Sequence, residues 1–163
     1  MGGGIHGGFG PTKGYLSAVS GNAVYKSKDK LYFEYISRRK DIDENGVYDF
    51  VAHGLPDKIQ IEHNNENIQI NSRVASNLIK NRSDYKKGQA IRLLSCYTGK
   101  YENGFAQSLA NKLGVIVYAP TEIVWAYPSG RHIVAAMGAN NQPDLNKKGK
   151  MKKFIPGGNK NAK

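Results

Sequence analysis

Three short apolar runs, Val47–Ala52, Ala90–Cys96 and Val115–Pro120, alternate with two stretches in which apolar residues return every three or four positions. Apolar runs without polar alternation need cover on both faces, and that is the condition of strands in a parallel sheet joined by right-handed helical crossovers. The first amphipathic stretch carries Val74, Ala75, Leu78 and Ile79, with Asn71 or Ser72 placed to cap it and Lys80 and Arg82 suited to its negative end. The second carries Phe105, Ala106, Leu109, Ala110 and Leu113 and stops at Gly114. This order predicts a three-layer α/β fold, a mostly parallel sheet with flanking helices.

Hairpins are expected around that frame. Leu31–Ala52 reads as one, with "DENG" as its turn and a second strand running on to His53–Gly54. Ile59, Ile61, Ile68 and Ile70 alternate on either side of an Asn-rich turn, and Thr121–Met137 folds back at Pro128–Gly130. After an Asn/Pro/Gly loop, "GKMKKFIPGG" predicts a short edge strand whose lysines discourage pairing with other edges. The start, residues 1–14, is too rich in glycine to nucleate structure and reads as a flexible junction. A single domain is expected over 15–158, with a disordered tail at 159–163. No apolar run approaches the ~18 residues of a membrane span.

The chemistry concentrates at two equivalent places. His53 and Cys96 both end apolar strands, and in an open α/β sheet ligands bind beyond the carboxyl ends of the strands. The chain holds one cysteine, so Cys96 cannot form an internal disulfide and is either a buried filler or a working thiol. A thiolate nucleophile needs a neighbouring imidazolium, which His53 would supply before returning the proton to the leaving group. Gly54 removes a side chain beside it, so the Gly54 and Cys96 backbone N–H groups form a candidate oxyanion hole, and the helix starting near Asn103 adds its positive end. Asp49 is the candidate for an acidic third member. Thr121 and Trp125, with Tyr127, are placed to line a substrate pocket. Ser95 and Thr98 are alternative nucleophiles that need stronger activation. His63 and His132 read as hairpin residues, and His6 falls in the glycine-rich start. No metal site and no cofactor are implied.

A strand ending in His-Gly, followed after a gap of some forty to fifty residues by an apolar strand ending in Cys, resembles the caspase-like (clan CD) cysteine peptidases. Here His53 precedes Cys96 by 43 positions. The resemblance covers Val47–Pro120, and "SCYTG" departs from the caspase signature Gln-Ala-Cys-x-Gly. It implies a cysteine peptidase with a protein substrate. The opening "GGGIHGGFGPTKG", the stretch "LLSCYTG…GFAQSLANKLGVIVYAPTEIVW" and the closing "GKMKKFIPGG" also resemble C-terminal modules of bacterial polymorphic or contact-dependent inhibition toxins. That likeness implies part of a larger secreted toxin, acting in the cytoplasm of a competitor or host cell and blocked by a cognate immunity protein. The net charge of +11 keeps a rival open: a nuclease toxin using Lys and Arg for phosphates and His53 or His132 as base, or a non-catalytic module binding nucleic acid. A domain that keeps the sheet only for binding is the third reading.

Overall fold

The computed structural model describes residues 32, 34–42, 46–63 and 66–158, and these form a mixed α/β fold with three sheets. The central sheet runs β1 (Val47–Val51), β5 (Ala90–Leu94), β6 (Val117–Pro120) and β10 (Met151–Phe154), in that spatial order. β1 and β6 flank β5 in parallel, while β10 closes the edge antiparallel to β6. The parallel order expected of the three apolar runs is therefore present. Phe50, Ile91, Leu93, Leu94, Val117 and Ala119 from these strands are fully buried. Each large one withdrawn from water contributes about 1.5–3 kcal/mol.

The two crossovers contain the predicted helices. α1 (Ser72–Lys80) starts at Asn71, whose side-chain oxygen accepts the Val74 N–H at 3.0 Å, and buries Ala75 and Ile79. α2 (Phe105–Leu113) ends at Gly114 in the left-handed region (φ 69°), with the Gly114 N–H donating to Ala110. The helices touch through the Ser72 and Ser108 hydroxyls, 2.6 Å apart.

Two small antiparallel sheets are appended. β2 (His53–Gly54), β3 (Ile59–His63) and β4 (Glu66–Ile70) make one, with Ile59 opposite Ile70 and Ile61 opposite Ile68, as the alternation predicts. β7 (Ile123–Ala126), β8 (His132–Met137) and β9 (Pro143–Lys148) make the other. Among the described residues only two of the seven strand pairings are parallel, so "mostly parallel" describes the central sheet alone.

Three expectations change. Among the described residues the first strand of the hairpin predicted over Leu31–Ala52 is not found: Tyr32 and residues 34–36 are helical. Tyr32 and Ile36, four apart, are both buried, whereas a strand would have put Glu34 on their face; Glu34 instead pairs with Arg38 at i+4. The strand expected to run on to His53 ends at Val51, and His53–Gly54 turns into the next sheet. The Asn/Pro/Gly loop contains β9, a strand of poor β-formers paired along β8 with a bulge between Ala135 and Ala136. The junction at 1–14, His6 and the tail at 159–163 lie outside the described residues.

Candidate active site

Register brings the two strand ends together. Val51 lies opposite Leu94 in the parallel β1–β5 pair, so His53 and Cys96 stand at the same offset, two residues past matched partners. The chain bends at Ala52 and His53 pairs with Gln60, which swings Gly54 directly onto the cysteine. A side chain at Gly54 would put its Cβ 2.2 Å from the Cys96 carbonyl oxygen and 2.7 Å from the Cys96 nitrogen. Glycine is demanded there by the protein's own backbone, not by room for a substrate carbonyl. His53 is 6% exposed and Cys96 is 0% exposed.

The cysteine is held from the other side by a hairpin. The Val124 N–H donates to Cys96 Sγ at 3.2 Å, an amide placed to meet negative charge on the sulfur. Tyr97 follows with φ 64°, a conformation that costs a non-glycine residue about 1–2 kcal/mol. It is fixed by its N–H on the Glu122 carbonyl (3.0 Å), while the Gly99 N–H reaches Pro120 (2.8 Å). Burial pushes the Tyr97 phenol up, and negative charge at Cys96 and Glu122 pushes the same way. Lys100 sits over the Tyr97 ring at 5.4 Å.

The α2 N-terminus is already occupied. The Phe105 N–H donates to Pro56 at 3.0 Å and the Ala106 N–H to Thr98 at 3.1 Å, so these amides stitch the loops after His53 and after Cys96 to the helix. The Thr98 hydroxyl is committed to the Ser95 carbonyl at 2.8 Å. Ser95 is fully buried and its Oγ makes no hydrogen bond among the described residues. Thr121 and Trp125 both lie in the β6–β8 region. The Thr121 hydroxyl accepts the Lys150 N–H at 3.0 Å, and the Trp125 indole N–H donates to Ala135 across the hairpin at 2.9 Å. Tyr127 stacks under Arg131 at 5.2 Å.

Asp49 is far from idle, and its partners are arginines. Its carboxylate takes Arg39 Nε at 2.9 Å and both Nε and Nη2 of Arg92 at 2.8 and 2.7 Å. Arg92 also reaches Asp41 through Nη1 at 2.9 Å, and Asp41 meets His132 Nε2 at 3.0 Å. The five side chains form one network, from the helical turn segment across β1 and β5 to β8. The hydrogen bond from Arg92 holds the Asp41 carboxyl down to about 2, although burial opposes it. Burial pushes the His132 imidazole down from 6.5, against the pull of Asp41. His132 is thus half-buried in an ionic network, not only a hairpin residue.

Sequence reading missed Val124, Tyr97 and the two arginines, Arg39 and Arg92, that share Asp49. A backbone donor has no residue signature, and nothing in a tyrosine announces a left-handed φ. The family described as "Domain of unknown function (DUF8616)" matches residues 20–134, so the chain belongs to that family. No curated protein and no solved structure matches it.

Proposed function

We propose that this member of the DUF8616 family is a cysteine peptidase, with Cys96 as nucleophile and His53 as its proton carrier. The supporting observation is the equal offset of the two residues past the matched pair Val51 and Leu94, with Gly54 seated on the Cys96 peptide. Cys96 Sγ attacks the scissile carbonyl as the thiolate, the thiol proton resting on His53. His53 then gives that proton to the departing amine, and water hydrolyses the thioester. The Val124 N–H orients the sulfur before attack. Gly54 and Cys96 N–H groups serve the oxyanion, and Thr121 and Trp125 border the substrate. The caspase-like three-layer arrangement belongs to this proposal. So do the biological setting, a toxin domain delivered from a larger secreted protein into a target cell, and its cognate immunity protein.

The nuclease reading has the charge of +11 in its favour. Against it, two arginines best placed beside His132 are bound by Asp41 and Asp49, which would repel a phosphate. Among the described residues no helix is long and apolar enough to cross a membrane. The test expresses wild type, Cys96→Ala and His53→Ala and follows cleavage of a protein substrate, of the chain itself, and of RNA and DNA. Wild type should cut protein and leave nucleic acid intact, and each substitution should lower the rate at least about a thousandfold. Nucleic-acid cleavage that persists in Cys96→Ala would install the nuclease instead.

A further inference from the structure

We infer that the β7–β8 hairpin is a hinged cover over Cys96, closed in this structure and latched at its tip by the segment around Arg38–Asp41. The inference rests on the peptidase reading for its consequence, that substrate reaches the thiol only when the hairpin lifts; the cover itself is a statement about access to sulfur.

Cys96 is wholly buried, and the amide on its sulfur, Val124, belongs to the hairpin. The hairpin lies in a sheet separate from the one that delivers Cys96, so it can swing without breaking a ladder of the central sheet. Its base is fixed by reciprocal bonds, Thr121 N–H to the Lys150 carbonyl and Lys150 N–H to the Thr121 hydroxyl, both 3.0 Å. Its tip is held by a small, polar set of contacts. Arg38 Nη1 donates to the Pro128 carbonyl at 2.7 Å, Gly130 abuts the Arg38 carbonyl so closely that a Cβ would lie 2.3 Å from it, and His132 meets Asp41. Arg38 and Asp41 are both largely exposed, with Asp41 51% accessible, so these contacts are weak individually. The burial of Ile123 and Val124 favours the closed form and keeps the open one a minor population.

The single cysteine makes the test direct. Labelling of Cys96 by a disulfide reagent is timed in native buffer and in rising urea. Opening of a hairpin exposes little surface, so labelling at low urea should depend on denaturant far less than global unfolding does. Asp41→Asn and Arg38→Ala should each raise that labelling rate about fivefold, and lower global stability by no more than the same factor. The same ratios measured in a His53→Ala background keep the result independent of catalysis. The cover is refuted if labelling in wild type and variants follows the full urea dependence of global unfolding, or if neither substitution changes the rate. Loss of proteolysis with an intact labelling effect would instead remove the peptidase and leave the cover standing.

Discussion

Strands β1 and β5 carry two groups of polar side chains, and the two are built on opposite terms. Midway along the strands, Asp49 and Arg92 face one another and recruit Arg39, Asp41 and His132, so side-chain charges satisfy side-chain charges. Beyond the strand ends, Cys96 is held by main chain: the Val124 amide on its sulfur and Gly54 against its peptide. A closed ionic network ties the helical turn segment, β1 and β5 to one another and has little capacity left for a ligand. A side chain positioned by backbone keeps its own chemistry. The difference suits the first group to architecture and, under the proposed function, the second to reactivity, even though the first contains more ionisable residues.

The largest expected effect breaks the first group. Asp49→Asn keeps the shape but leaves Arg39 and Arg92, 4% and 17% exposed, without their shared anion. Removing one partner from a buried pair costs about 3–5 kcal/mol, and urea denaturation should report a loss of that size. Per folded molecule, peptidase activity should persist, because neither arginine touches the cysteine in this arrangement. A variant of unchanged stability would show that the network is a surface ornament.

The second test turns to the strand ends. Gly54→Ala puts a methyl group where the Cys96 backbone stands, and the peptide must move by more than an ångström. Overpacking of this kind costs about 1–3 kcal/mol, and displacement of the reacting group on that scale costs about a hundredfold in rate. Activity should fall further than stability predicts, the reverse of Asp49→Asn. Equal losses in both variants would erase the distinction between the two groups.

What was legible in the sequence follows the same division. The central strands, both helices and two hairpins announce themselves through the period of their apolar residues, because burial on one or both faces is what that period records. His53 and Cys96 were legible because each closes an apolar run, and strand ends are where an α/β sheet presents side chains. The helical turn at Tyr32 and residues 34–36 was not: its aromatic residues have strand propensity, and tertiary burial of Tyr32 and Ile36 overrode it. β9 lacked a signal because Pro143, Asp144 and the lysines pair only through a neighbour that exists once the hairpin has formed. The ionic network joins residues as far apart as Asp41 and His132, separated by 91 positions, and pairing at that range leaves no local pattern.

The smallest effect concerns pH and sharpens the reading of the network. Asp41 is held near 2 in the fold against 3.8 ordinarily, so the stability it contributes is complete above about 4 and is lost as pH falls toward 2. His132 shifts the other way relative to its charge. Its folded value lies below 6.5, so the unfolded chain takes up the proton first, and stability declines as pH drops below 6.5. Acid therefore weakens the fold in two windows, a higher one belonging to His132 and a lower one to Asp41. Asp41 is half exposed and screened by water, which keeps its step to a few degrees in the melting temperature. Asp41→Asn should erase the lower step between pH 4 and 2. It should also deepen the upper one, since the anion that partly offsets the burial of His132 has gone. Melting curves from pH 8 down to 2 read both steps, and an unchanged lower step in Asp41→Asn would mean that other carboxylates carry the acid sensitivity.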